Sequence, residues 1–327
     1  MIGLSKAQLQ QFRRDGFLPV PGVLSDDDLA PITAEYDRLL DDQLGRLAVD
    51  GLLDARPAGN FTERFLAGLR VEPDFHRSFN ISLPLVNGAV DPQGYDVHTG
   101  PAVFDLLRHP GILDVVESVI GPEILSNPVQ QMRIKPPVAG IDGDLKVHSN
   151  VGSTTWHQDI VALLPEADDT PIVTVWVALS DADETNGCLV SIPGSHRLGP
   201  QIHCANAELA SEPNVPAAAL AGMQQQPLPM ARGGIILFDK LNVHCSLPNR
   251  SSAIRWSMDL RYSPIGHPTG RPAFPGFVAR SRFRPESELR DWSRWQALWR
   301  QTRERILRGD HGDRIFEDTR WNNAAVC

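Results

Sequence analysis

Apolar positions in the first third of the chain recur at helical spacing. The stretch SKAQLQQFRRDG predicts a short helix opened by Ser5 and stopped by Gly16. GFLPVPGVL then reads as a short extended piece. SDDDLAPITAEYDRLLDDQLGRLAV predicts a longer amphipathic helix. Ser25 is its N-cap, and Asp26, Asp27 and Asp28 place negative charge against the unpaired N–H groups of the first turn. GPAVFDLLRHPGILDVVESVIG predicts one or two helices, interrupted at His109-Pro110 because proline cannot continue the ladder of hydrogen bonds.

The period then changes. Over about 123–265 the chain becomes short runs rich in Val, Ile, Leu and Trp between turn signals: NPVQQMRIKPP, TPIVTVWVALSD, GCLVSIPGSH, GGIILFDKLNVH and IRWSMDLRYSP. Asn186-Gly187 predicts a hairpin. Two less regular inserts, 138–153 and 200–232, interrupt the runs. Near the end, PESELRDWSRWQALWRQTRERILRG predicts a helix with Trp292, Trp295 and Trp299 on one stripe, which reads as core packing. Helices, then strands, then a helix predict a mainly β protein with flanking helices around a double-stranded β-helix (jelly roll, cupin-like) core. We expect one domain over 1–327: a helical N-terminal part at about 1–122, the jelly-roll core at about 123–265 and a C-terminal helical segment at about 285–310.

The 327 residues are 42% hydrophobic and 22% charged, enough apolar material for a full core. A net charge of −9 argues against nucleic acid or an anionic membrane as the main partner. The apolar runs are too short to span a membrane, and the N-terminus lacks the pattern of a secretory signal. The four cysteines, Cys188, Cys204, Cys245 and Cys327, have no spacing that suggests disulfides or a zinc knuckle, so a reduced, cytoplasmic setting is expected. The oligomeric state is left open.

The candidate chemistry begins at His157-Gln158-Asp159. Spacing i, i+2 puts His157 and Asp159 on one side of an extended chain, where both can reach one ion. His311-Gly312-Asp313 has the same spacing but lies in a polar helix end with no histidine after it, and reads as bland. His244 follows at a strand end. Two imidazoles and one carboxylate compose the facial triad that holds Fe(II) and leaves three positions open. His196, in a turn, and His203, in an insert, are weaker candidates. Cys245 reads as a small buried side chain, and His98 and His148 are near loops without further support. Eleven residues past His244 comes Arg255, whose guanidinium suits the far carboxylate of an oxo-dicarboxylic co-substrate. Ser246 is placed for a supporting hydroxyl bond. Arg261 and Asp259 share strand parity with Arg255 and either line the barrel mouth or pair with each other.

These residues, with LSKAQLQQFRRDGFLPVPGVLS, QQMRIKPP, WHQD, VWVALSDADETNGCLVSIPGSHR and HCSLPNRSSAIRWSMDLRY, resemble the phytanoyl-CoA dioxygenase family of Fe(II)/2-oxoglutarate-dependent oxygenases. The resemblance covers most of the chain. It implies iron at His157, Asp159 and His244, and 2-oxoglutarate held by Arg255 and Ser246, with Gln131 and Trp176 lining the same pocket. Lys135 matches a family position to which no role is assigned. Relatives that halogenate lack the carboxylate ligand, so Asp159 implies hydroxylation or another oxidative outcome. The expected reaction is oxidation of a small organic substrate, a secondary-metabolite intermediate, with 2-oxoglutarate and O2 converted to succinate and CO2. Desaturation, epoxidation or rearrangement are the other outcomes open to such an enzyme, and the rival readings are a non-catalytic jelly roll that binds metal and 2-oxoglutarate, an acyl-CoA hydroxylase, and a different metal enzyme on a similar barrel, such as a hydrolase or isomerase.

Overall fold

The computed structural model describes residues 3–83, 85–86, 89–90, 96–141, 143, 151–204, 214–310, 320–321 and 327. The N-terminal helices form where the pattern places them. Helix α1 (Lys6–Asp15) carries a capping box between Ser5 and Gln8, and α2 (Asp26–Val49) one between Ser25 and Asp28. Strand β1 (Phe17–Val20) lies between them. Helix α3 (Phe61–Val71), capped by Asn60, was not expected; its buried face is Phe65, Leu66 and Leu69. A two-residue pair, β2 (Leu85–Val86) and β3 (Ala89–Val90), follows. The break at His109-Pro110 separates α4 (Pro101–Leu107) from α5 (Pro110–Ile120).

The remaining strands are β4 (Glu123–Lys135), β5 (Val173–Ala178), β6 (Leu189–Ser191), β7 (Gln226–Leu228), β8 (Ile235–Asp239), β9 (His244–Ser246), β10 (Arg255–Pro264) and β11 (Phe277–Ser281). They build an antiparallel six-stranded sheet in the order β1-β8-β5-β10-β4-β11 and a three-stranded sheet in the order β7-β6-β9. These two sheets form the jelly roll. Its large sheet recruits β1 from the helical part and β11 from beyond residue 265, so the β-core is wider than the expected 123–265.

Period-2 alternation sorts the large sheet's side chains. One face gives Leu18, Val175, Val177, Leu237, Met258 and Leu260 to a core that includes Leu29, Ile32 and Tyr36 of α2 and Ile112, Val115 and Val116 of α5. The other face gives Phe17, Trp176, Ile236 and Phe238 to a smaller cluster, completed by Leu189 and Leu228 of the second sheet. Helix α6 (Trp292–Leu307) closes over Phe104, Phe277 and Phe274 with Trp295 and Trp299, which are 2% and 3% exposed. Trp292, at 38% exposed, stands outside that stripe's core role.

Two expectations are corrected. Asn186-Gly187 does not close a hairpin, because β5 and β6 belong to different sheets and do not pair. The turn crosses between sheets, with Asn186 Oδ1 accepting from the Asp183 N–H at 2.7 Å. Gly187 is required there: its φ is +96°, and a Cβ would stand 2.6 Å from the Leu247 carbonyl oxygen. Second, Cys204 and Cys327 form a disulfide, with Cα atoms 5.2 Å apart across 123 residues of chain. Only the fold brings them together, so no local spacing announces the bond. Cys188 and Cys245 are free and buried, and the cysteines no longer argue for a reduced compartment. No helix among the described residues is long and apolar enough to cross a membrane. His148, His311 and Asp313, the middle of the 138–153 insert and residues 205–213 of the other lie outside the described residues.

Candidate metal centre

His157, Asp159 and His244 converge. One ligand atom from each lies within 4.8 Å of the others, and all three side chains line one cavity. The backbone makes the convergence. His157 and His244 face each other in an antiparallel bridge, with N–H to carbonyl distances of 2.9 and 3.0 Å, and their ring centroids are 4.3 Å apart. The chain is extended at Gln158 and turns into a short 3-10 helix at Asp159–Ala162. The i, i+2 spacing therefore delivers both ligands at the entrance to a turn rather than along a continuing strand.

Each imidazole is oriented from behind. His157 Nδ1 is 2.8 Å from the Thr155 carbonyl oxygen, and His244 Nδ1 is 3.0 Å from that of Asn242. A carbonyl only accepts, so Nδ1–H donates and the Nε2 lone pair of each ring faces the cavity, the tautomer a metal needs. The His244 ring also stacks on Phe238, with centroids 4.5 Å apart. Burial, aided by the neighbouring His244, pulls the His157 pKa well below its ordinary value despite the opposing pull of Asp159. For Asp159, burial pushes upward, but Arg261, the two imidazoles and the Thr174 hydroxyl together outweigh it and hold the carboxyl well below the usual range. A neutral imidazole and an ionised carboxylate are the forms that ligate. Cys245 also lines the cavity, but burial pushes its thiol up to about 12, so it stays protonated.

The co-substrate end is carried by β10 and its neighbours. Arg255 is 1% exposed and reaches the cavity above the Trp176 ring, 5.6 Å from its centroid. Its Nη1 donates to Ser257 Oγ at 2.5 Å, whereas Nε and Nη2 are buried without a hydrogen-bond partner among the described residues. Burial lowers its pKa to about 10, so it is cationic at neutral pH. Two orphaned, buried guanidinium donors are costly unless an anion completes them, and a carboxylate matches their fork. Lys135, 1% exposed, also lines the cavity and donates to Thr154 Oγ1 at 2.9 Å and Ser246 Oγ at 2.6 Å.

Two expected pocket residues stand beside the lining rather than in it. Ser246 is not in the lining; it sits behind Lys135 and Thr154, accepting also from the Thr154 N–H at 2.8 Å. Gln131 shares the face of Arg133 and Lys135 but also lies outside the lining; its Oε1 is buried without a partner. Asp259 and Arg261 do not pair with each other. Asp259 takes Arg133 Nε at 2.8 Å, and both line the cavity. Arg261 donates Nη2 to Asp159 Oδ1. Arg133 was overlooked, although QQMRIK shows the signal: polar side chains at 131, 133 and 135 alternate with Met132 and Ile134, which marks a polar inner face. His98 belongs to a separate network, with Nε2 2.8 Å from Glu35 Oε1. His203 supports the ligand loop from behind: its Nε2 accepts from the Gln158 N–H at 3.0 Å.

The donor set fits a ferrous ion, and the orphaned Arg255 donors fit the distal carboxylate of a keto-diacid. A jelly roll with such a pocket has the form of an iron- and 2-oxoglutarate-dependent oxygenase. Comparison with known proteins agrees. The phytanoyl-CoA dioxygenase (PhyH) family matches residues 12–257, and the chain belongs to that family. It is thus an enzyme of the dioxygenase type. The chain is 29% identical over 279 residues to phytanoyl-CoA dioxygenase domain-containing protein 1 of Mus musculus, covering 78% of this chain and 88% of that one. It is 26% identical over 243 residues to 1-deoxypentalenic acid 11-beta-hydroxylase of Streptomyces exfoliatus, covering 72% and 82%. Among solved structures, the non-heme monooxygenase ThoJ shares the fold with a TM-score of 0.55 and 20% identity, covering 92% of this chain and 99% of that one.

Proposed function

We propose that the protein is an Fe(II)/2-oxoglutarate-dependent oxygenase that hydroxylates a small organic substrate, an intermediate of secondary metabolism. The observation that carries the reading is Arg255, with two orphaned donors, lining the same cavity as the His157, Asp159 and His244 triad. The relative that hydroxylates 1-deoxypentalenic acid supports the outcome, and so does the retained carboxylate at Asp159.

His157, Asp159 and His244 would hold the iron, which, when bound, supplies the activation of O2 that no side chain can perform. The protein's part is to orient and to exclude water. The Thr155 and Asn242 carbonyls fix both imidazoles with Nε2 inward. Arg255 anchors the far carboxylate of 2-oxoglutarate through Nε and Nη2, with the Trp176 face packed against its guanidinium. Lys135, braced by Ser246 and Thr154, adds positive charge to the lining. The Arg133–Asp259 ion pair keeps two further charges compensated inside the barrel.

The test is succinate formation by the purified protein with Fe(II), 2-oxoglutarate and O2, in wild type and in Asp159→Ala and His244→Ala. Substrate-free uncoupled turnover suffices as the readout. Both variants should lose activity at least about a thousandfold, as expected for groups that act as a unit. Normal turnover in either would refute the triad, and activity that survives without O2 would point to a different metal enzyme.

A further inference from the structure

Asp159 is held at both oxygens. Oδ2 accepts from the Thr174 hydroxyl at 2.6 Å, and Oδ1 from Arg261 Nη2. Oδ1 is also the oxygen 3.9 Å from His157 Nε2. Arg261 is 4% exposed and is itself fixed, because Nη1 donates to the Val129 carbonyl at 2.9 Å.

That carbonyl is available because the ladder between β4 and β10 slips. Asp259 pairs with Gln131, but Arg261 pairs with Asn127, so β4 carries extra residues between the two pairs. The bulge is tied by its own side chains. Asn127 Oδ1 accepts from the Val129 N–H at 3.0 Å, and Gln130 Nε2 donates to Ser126 Oγ at 2.9 Å and to the Asn127 carbonyl at 2.7 Å. Bulges of this kind re-aim groups beside active sites.

We propose that Arg261 and Thr174 are positioning residues that confine Asp159 to one-oxygen ligation of the metal; this rests on the functional reading above. A carboxylate beside a dication can rotate and chelate through both oxygens. That would take a fourth coordination position, whereas a facial triad must leave three open, two for the chelating co-substrate and one for O2. Here rotation would break a charge-assisted hydrogen bond to Arg261 and a short one to Thr174, both buried.

Anaerobic Co(II) loading provides the test, since cobalt's d–d absorption reports its coordination number and 2-oxoglutarate can be titrated onto it. In Arg261→Met the cobalt spectrum should change and 2-oxoglutarate should bind about tenfold more weakly, the worth of roughly one such bond. Cobalt affinity itself should fall by less than the co-substrate affinity, because a carboxylate freer to rotate can add its second oxygen to the metal. Thr174→Val should shift both readouts in the same direction by a smaller amount, and Thr174→Ser should recover them. If Arg261→Met does not fold, the Thr174 pair decides. Folded variants with wild-type spectra and co-substrate binding would overturn the proposal. So would a loss of cobalt affinity as large as the loss of co-substrate, which would indicate mere collapse of the site. A wild type that takes up neither cobalt nor 2-oxoglutarate would instead overturn the functional reading as well.

Discussion

Strand β10 presents two faces with the same burial and opposite chemistry. Trp256, Met258, Leu260 and Tyr262 point one way, Arg255, Ser257, Asp259 and Arg261 the other, and none is more than 9% exposed. The first set packs under the helices in one apolar core. The second lines or braces the metal centre. Burial alone thus does not select apolar residues; what selects them is whether the space opposite is filled by another element or reserved for a ligand. The outer face gains stability by removing apolar area from water. The inner face pays for charges that are only partly compensated until the ligands arrive.

The largest effect expected from breaking this division is on the outer face. Leu260 is fully buried, so Leu260→Ala should cost about 2–5 kcal/mol through lost transfer energy and the cavity left behind. Cobalt and 2-oxoglutarate affinities should stay within about twofold of wild type, because the side chain points away from the site. Urea unfolding and the two titrations measure both. A loss below about 1 kcal/mol would mean that the helical layer contributes little and that the contrast between faces is drawn in the wrong place.

The matching change on the inner face has the opposite profile. Arg255→Met removes a buried cation with two orphaned donors and retains an apolar stem beside Trp176. Stability should hold or rise by about 1 kcal/mol, as when buried charges give way to apolar groups. The apparent requirement for 2-oxoglutarate should rise on the order of a hundredfold, since a ground-state anchor of two charge-assisted bonds is gone. Unchanged co-substrate binding would move the anchor to another residue, with Lys135 the first to examine.

The two faces were not equally legible in the sequence. Alternation in IRWSMDLRY already separates the apolar set from the polar one, and the helices announced themselves through Ser5, Ser25 and the break at Pro110. The triad and Arg255 were legible because each ligand type is chemically distinctive and the motifs around it are dense. What alternation could not supply was partnership across strands. Arg261 reaches Asp159, and not Asp259, because a bulge in β4 resets the register, and nothing in NPVQQ states how far. Gln131 shares the parity of Arg133 and Lys135 and pairs with Asp259, yet it does not join them in the lining, since parity fixes a direction and not a contact. The Cys204–Cys327 bond was invisible for the same reason at longer range.

The scaffold behind the inner face allows a finer test. Gln158, between two ligands, is fully buried and fully tied. Its N–H donates to His203 Nε2, its amide nitrogen to the Gly199 and Leu241 carbonyls, and its Oε1 accepts from the Gln201 N–H. His203 can accept at Nε2 only while neutral, with Nδ1–H donating to the Gln201 carbonyl. Burial lowers its pKa to about 4, against about 6.5 in the unfolded chain. Between those values the unfolded state binds the extra proton and the native state does not. His203 therefore contributes stability above about pH 6.5 that is lost progressively as pH falls toward 4. At pH 5 the loss should be about 2 kcal/mol relative to pH 7.5, from a gap of roughly 1.5 units. His203→Gln keeps an acceptor but cannot titrate, so the stability difference between wild type and variant should shrink by that amount over the same interval. Urea unfolding at the two pH values measures it. A constant difference would show that the Gln158 N–H finds its acceptor elsewhere, and that the ligand loop is not held through His203.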